Sequence, residues 1–326
     1  MARKSKSIVM VEEASVEPVA GQPEQIDLFN CEIVNWSLKD DIASMTVPLF
    51  ALSKKPETEI KTYRRGSTII RITPSADGMA TVFDKDLLLY ITSQLVEAIN
   101  QGKPVSNTVY VDSMNFLAST ERGDGRKSYE LLVGMLRRLK GTNIETNIET
   151  GGVRQTKGFG LIDNYEIKSS STRKGKGEAA EDNDQNSVTR VFGFTVTLSE
   201  WFMNSLLNME VLTLDRGYFQ LSRSIDRRLY ETGRKHCGDA AFWKCDMDLL
   251  AEKIGYGSGR TRAYFRQDLR HAIKEDNLPS YRIALDRSKT PEDVVFITKD
   301  SRKLTKKLTE DNLFGWYESL EKRIPT

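Results

Sequence analysis

The segment DMDLLAEKIGYGSGRTRAYFRQDLRHAIK, residues 246–274, has the form of two helices joined by a glycine-rich turn. A short apolar helix from Met247 to Ile254 runs into Gly255, Gly257 and Gly259, and a second helix opens at Arg260. Asp246 and Asp248 sit where a helix takes its N-terminal cap, and are read as that cap rather than as a metal-binding pair. The whole is the sequence form of a helix-turn-helix.

The second helix carries two stripes. Phe265, Leu269 and Ile273 recur every four residues, and Arg262, Arg266, Arg270 and Lys274 recur at the same interval one position later, about 100° further round. Between Arg260 and Lys274 there are five Lys/Arg against one acid, Asp268, in a chain whose net charge is only +2. Such a cationic helix fits a DNA major groove. A four-residue repeat overshoots the helical period by about 40° each step, so only the first two turns would face base edges. We therefore expect Arg260, Thr261, Arg262 and Arg266 to read bases, with Arg262 and Arg266 suited to bidentate contact with guanine. Ser258, the free amides at the helix start and Arg270 are expected on phosphate. The competing reading is a solvated basic surface.

Working outward, Ser280–Leu285 and Val294–Thr298 read as a hairpin after the second helix, and Ser222–His236 as a helix before the pair. Arg223, Arg227 and Arg228 on that earlier helix are candidates to clamp the DNA backbone. For Arg227 and Arg228, with Asp226, an internal ion-pair role stays equally open.

The same order occurs earlier in the chain. GDGR at 123–126 and GSGR at 257–260 are offset by 134 positions, and FLA at 116–118 matches LLA at 249–251 at an offset of 133. Helical periodicity over Asp84–Asn100 parallels Ser222–His236, with Asp84 or Asp86 as its cap, and Arg126–Lys140 turns Leu132, Met135, Leu136 and Leu139 inward. This is an internal repeat of helix, helix, glycine turn, helix and hairpin. Arg126, Lys127 and Ser128 take the phosphate-facing position in the first copy. Arg137 and Arg138 lie too far along that helix to reach bases.

Helix-turn-helix followed by a hairpin is the winged-helix arrangement, so the expected fold is α+β with two tandem winged-helix domains. Residues 1–28 read as a flexible arm, 29–210 as the first domain and 211–326 as the second, main DNA-reading domain. Glu59–Thr73 reads as two strands split at Arg64, Arg65 and Gly66, and 142–168 as two or three strands around Gly151 and Gly152. The loop 169–187 holds only Ala179 and Ala180 as apolar residues and is expected to be disordered, with Arg173–Lys176 able to touch phosphate. Trp201, Phe202 and Leu206 read as packing residues. Ser301–Lys322 reads as one last helix, basic in its first half, docked on the second domain.

Composition narrows the function further. The chain of 326 residues is 39% hydrophobic and 29% charged, enough for two cores. Apolar runs such as Leu87–Ile91 fall far short of the ~20 residues of a membrane span, and the N-terminal stretch has no secretory pattern, so a cytoplasmic protein is expected. Cys31, Cys237 and Cys245 form no paired framework, and His236 with Cys237 and Cys245 lacks a fourth zinc ligand. No G-x-x-x-x-G-K-[ST] motif occurs, and the only histidines, His236 and His271, are 35 residues apart, unlike a metal-dependent nickase. A binding protein without cofactor is expected, not an enzyme.

Several long stretches carry a family resemblance: PLFALSKKP at 48–56, TPSADGMATVFDKDLLLYITSQLVEAINQG at 73–102, LRRLKGTNIETNIETGG at 136–152 and GFGLIDNYEI at 158–167. It continues through VTLSEWFMNSL at 196–206, EVLTLD at 210–215, GYFQL at 217–221 and RRLYETGRKHCG at 227–238. These stretches resemble plasmid replication initiators of the replication initiator protein A family, a tandem winged-helix group related to iteron-binding initiators. The resemblance implies binding to repeated double-stranded sites in a plasmid origin, opening of nearby duplex, and recruitment of the host initiator and replicative helicase. It also implies a first domain that mediates dimerisation, and dimers that repress the initiator's own gene. A winged-helix transcriptional regulator needs the same groove contacts, and a protein-interaction scaffold would leave the basic stripe in solvent.

Overall fold

The computed structural model describes residues 28–321 apart from 54, 66–67, 148, 151–152, 155–157, 172–188, 257–261 and 289–291. Its organising feature is a unit of helix, strand, helix, helix and hairpin that occurs twice. In the first copy the elements are Lys85–Asn100, Thr108–Asp112, Ser113–Ser119, Arg126–Gly141 and the hairpin Ile162–Ser171 with Thr189–Leu198. In the second they are Ser224–His236, Phe242–Asp246, Met247–Ile254, Arg262–Glu275 and the hairpin Tyr281–Asp286 with Asp293–Thr298. In each copy the last hairpin strand lies between the hairpin's first strand and the strand that precedes the helix pair, all antiparallel.

Local chemistry starts the helix pair the same way in both copies. Asp112 and Asp246, again 134 positions apart, end the first strand and cap the next helix. The Asp112 carboxylate accepts from the Asn115 amide at 2.8 Å, and that of Asp246 from the Asp248 and Leu249 amides at 2.9 and 3.1 Å. The helix Met247–Ile254 ends at Gly255, whose φ of +97° lets the Tyr256 amide donate back to the Ala251 carbonyl at 2.9 Å.

Four elements differ from the sequence reading. Phe242–Asp246 is a strand, held by Asp293–Thr298 from far along the chain. Arg64 and Arg65 end a strand, Lys61–Arg65, rather than form the turn. Ser169–Ser171 extend the strand Ile162–Ser171, so only residues from 172 onward of the expected loop lie outside the described ones. The last helix is two, Ser301–Glu310 and Phe314–Glu321. Asn312, at φ +54°, stops the first of them while the Leu313 amide reaches back to the Leu308 carbonyl at 3.0 Å. The expected arm lies outside the described residues as far as 27.

Between the paired helices and the hairpin, the first copy inserts strands. Asn143–Thr146 and Gly158–Gly160 join Lys61–Arg65 and Thr68–Thr73 in a four-stranded antiparallel sheet. Glu149–Thr150 pairs with Val153–Arg154, and Gly151 and Gly152 lie outside the described residues.

One apolar core runs from Phe29 to Phe296, through Trp201, Phe202 and Leu206 as expected. It crosses the expected boundary after residue 210, where Val211–Thr213 pairs with Lys39–Asp41. Beside it lies a buried ionic cluster that joins the leading helices of the two copies. Lys85 bonds Asp40 at 2.6 Å and Glu231 at 3.2 Å, Arg228 bonds Glu231, and Arg227 bonds Asp86 at 2.5 Å. Asp84 and Asp86 therefore serve as counterions rather than caps. Asp84 makes no capping bond and instead takes two hydrogen bonds from Arg138 at 2.7 Å each.

The two C-terminal helices cover the outer face of the second copy's sheet, packing Leu304, Trp316, Tyr317 and Leu320 on Ala284, Val295 and Ile297. Trp316 donates to Asp286 at 2.9 Å, and Lys244 lies over the Trp316 ring. Burial pushes the Asp286 carboxyl up, but hydrogen bonds from Ser288, Trp316 and Lys244 outweigh it and hold the group well below the usual carboxylate range. No helix among the described residues is long and apolar enough to cross a membrane.

Candidate nucleic-acid interface

The helix Arg262–Glu275 is seated by its apolar stripe. Phe265, Leu269 and Ile273 are buried as expected, together with Ala272. Its orientation is fixed by Asp268, which accepts from Arg223 at 2.6 Å and from the Tyr256 hydroxyl, while the Tyr256 ring packs on Phe265 at 5.1 Å between centroids. Asp268 thus ties the end of one helix and the start of another to the third.

The solvent face of this helix carries Ala263, Tyr264, Gln267, Arg270, His271 and Lys274, with Tyr264 58% exposed. Arg270 and Lys274 supply free-standing positive charge there, as the basic stripe requires. Arg266 sits lower, half-buried, with its Nε enclosed and lacking a hydrogen-bond partner. It occupies the shoulder of the face rather than its crest. Ser258, Arg260 and Thr261 lie outside the described residues; Arg262 is the first residue of the helix, and its side chain lies outside them too.

The earlier helix behaves differently from the backbone clamp expected of it. Arg227 and Arg228 are 3% and 1% exposed, so neither can reach a phosphate. Arg227 stacks on Phe83 and Tyr218, with its guanidinium carbon 4.6 and 4.9 Å from the ring centres, and bonds Asp86. Arg228 bonds Glu231 and the carbonyls of Ser44 and Lys253, each at 3.1 Å. The internal ion-pair reading holds for both: Arg227 meets the desolvated Asp86 of the first copy, and Arg228 the desolvated Glu231 of its own helix. Arg223 is committed as well, to Asp268, to Asp226 at 3.5 Å and to Nδ1 of His271 at 2.6 Å. It positions the exposed helix instead of standing free for phosphate.

In the first copy, Arg126 and Lys127 are exposed at the start of the helix Arg126–Gly141, and Ser128 is half-buried. Arg126 pairs with Glu130 at 3.0 Å on an open surface, a contact weak enough to exchange for phosphate. Arg137 is exposed further along, while Arg138 is held by Asp84. Arg287 and Ser288 are exposed where the second hairpin turns.

Sequence reasoning passed over Gln267 and Tyr264 on the crest and gave Asp268 no role beyond its charge. Helical phase, counted from Phe265 and Leu269, would have placed Gln267 and Tyr264 in solvent, whereas the role of Asp268 depends on Arg223 and Tyr256 from other elements.

The second copy thus presents a cationic helix face and the first a basic opening turn. Comparison with known proteins gives the arrangement its context. Residues 39–283 match the family described as Replication initiator protein A. The chain belongs to the replication initiator protein A family. A candidate replication protein of Wigglesworthia glossinidia brevipalpis is 36% identical over 249 residues, covering 76% of this chain and 84% of that protein. A crystal structure of domains 2 and 3 of RctB superposes with a TM-score of 0.55 at 13% identity, covering 79% of this chain and 96% of that one. A second structure of RctB domains 2–3 gives a TM-score of 0.50 at the same identity, with 79% and 97% covered. The mixed α+β fold is therefore shared with that pair of domains, and family membership places the chain among replication initiators.

Proposed function

We propose that this initiator is a sequence-specific reader of double-stranded DNA, built of two tandem winged-helix domains, that binds repeated sites in a plasmid origin. The supporting observation is the twice-used topology of helix, strand, helix, helix and hairpin, with an exposed cationic helix where a winged helix meets the major groove. Residues 211–326 form the main reading domain and 29–210 the accessory one. Arg260, Thr261 and Arg262 open the reading helix toward base edges; Ser258, Arg270, Arg126, Lys127 and Ser128 meet phosphate. Two such domains on one face of the duplex span about 20 base pairs, two major grooves about 10–10.5 base pairs apart.

In this reading the bound protein opens adjacent duplex, recruits the host initiator and replicative helicase, and as a homodimer represses its own gene in the cytoplasm. It acts by binding, without catalysis or cofactor. The test is binding of the full chain to duplexes carrying its plasmid's origin repeats, against scrambled duplexes, across a salt series. Selective binding whose log affinity falls by about 0.9 per neutralised phosphate per log unit of salt is expected, followed by replication of an origin plasmid only when the protein is supplied. Equal, weak binding to both duplexes overturns the reading. Selective binding without origin replication reduces it to a transcriptional regulator.

A further inference from the structure

The helix Arg262–Glu275 carries more than charge on its outer face. At about 100° per residue, Gln267 lies about 175° from the mean direction of the buried Phe265, Leu269, Ala272 and Ile273, whereas Arg266 lies about 75° from it. Gln267 is exposed, falls within the first two turns, and has Ala263 one turn before it and Arg270 about one turn after. The crest of the cationic face is thus a neutral amide.

The charge of an exposed arginine or lysine gains affinity from any phosphate, so charge alone conveys little sequence information. A carboxamide gains almost nothing from the phosphate field, but it presents one acceptor and two donors in a plane. That pattern complements the N6 amino group and N7 of adenine in the major groove, while Ala263 offers only a methyl that suits the thymine methyl beside it.

We propose that Gln267 reads an adenine, so that the recognition site contains an A·T pair specified by this side chain. The inference rests on the reading of this helix as a major-groove binder. The flanking cations, Arg270 and Lys274, anchor the helix, and Gln267 at its crest selects.

The experiment is selection from a random-sequence duplex pool by the full-length wild type, Gln267→Ala and Gln267→Arg. Each variant is first shown to keep the wild-type melting temperature. The wild type is expected to fix an A·T pair at one position. Gln267→Ala should lower discrimination at that pair alone by about 5- to 150-fold, leaving the rest of the consensus and the salt slope intact. Gln267→Arg should move the preference there to guanine. In the selected duplex, 7-deazaadenine at that position, which lacks the N7 acceptor, should weaken the wild type and leave Gln267→Ala unaffected.

If the wild type yields no consensus, the DNA-reading function itself fails. If it yields one that Gln267→Ala retains in full, or loses uniformly at every position, Gln267 is a solvated or backbone-facing residue and the inference falls while the function stands. Loss at a position that is not adenine overturns it equally.

Discussion

Replacing Arg228 by alanine separates a core arginine from a phosphate-binding one. The guanidinium bonds Glu231 and donates to the carbonyls of Ser44 and Lys253 at 3.1 Å and of Val47 at 3.4 Å. Alanine leaves three acceptors short of a donor, Glu231 dependent on Lys85 and Tyr218, and a void the size of a long side chain. Removing one member of a buried ion pair costs about 3–5 kcal/mol. For a chain of this length, an unfolding entropy of about 2.1 cal/mol/K per residue turns that into a fall in Tm of about 4–7 °C if the shared core melts as one. Arg270→Ala is the control: exposed and clear of the core, it should leave Tm within about 1 °C, weaken DNA binding and reduce the salt slope by about one. Differential scanning calorimetry paired with a salt titration of DNA affinity reads both quantities. If Arg228→Ala melted with the wild type and instead lost DNA affinity, the buried junction described here would be wrong.

Three further outcomes follow from the same geometry. Burial, opposed by Lys85 and reinforced by Glu231 and Asp41, pushes the Asp40 carboxyl from its ordinary 3.8 up to about 8. The folded protein then holds a proton that the unfolded chain releases, so Asp40 contributes stability that is full below about pH 4 and lost as pH rises toward 8. Asp40→Asn should flatten that decline in urea midpoints measured between pH 5 and 8, and an unchanged slope would refute the assignment. Deleting residues 300–326 should uncover the face formed by Ala284, Val295 and Ile297; light scattering should then show concentration-dependent association, and a monodisperse product of unchanged Tm would contradict the covering role of the last two helices. Arg126→Ala combined with Lys127→Ala should leave Tm unchanged, both being exposed, and lower the salt slope by about 1.8; an unaltered slope would remove the first domain from the DNA contact.

What could be read from the sequence was what depends on near neighbours. The stripe of Phe265, Leu269 and Ile273 and the inward face of Arg126–Gly141 rest on local periodicity, and each appears where it was expected; the second glycine turn lies outside the described residues. The strand Phe242–Asp246 escaped notice because its partner, Asp293–Thr298, lies about fifty residues downstream and supplies the pairing that a five-residue segment cannot supply alone. Arg227 and Arg228 look like surface residues for the same reason. On their N-terminal side only Asp226 offers a counterion within a turn, and groups that bury them, Asp86 and the Ser44 carbonyl, are 141 and 184 residues away. Gln267 was legible in principle, but the four-residue recurrence of arginine drew attention to a winding stripe whose Arg266 lies about 100° away from the crest.

That misplacement changes the electrostatics expected of the interface. A count of Lys and Arg near the reading helix credits it with Arg223, Arg227 and Arg228, yet all three are engaged by carboxylates within the protein and contribute little outward field. Among the described residues, Arg270 and Lys274 stand exposed on the second domain's helix and Arg126 and Lys127 in the opening turn of the first domain's; contact of all four with phosphate would correspond to a salt slope of about −3.6. Charge of that size would steer the protein to any duplex and hold it there with only moderate affinity at physiological salt. In the proposed reading, discrimination among sequences would rest on the side chains that open this helix and on those at its crest, which is where the fold has put a glutamine.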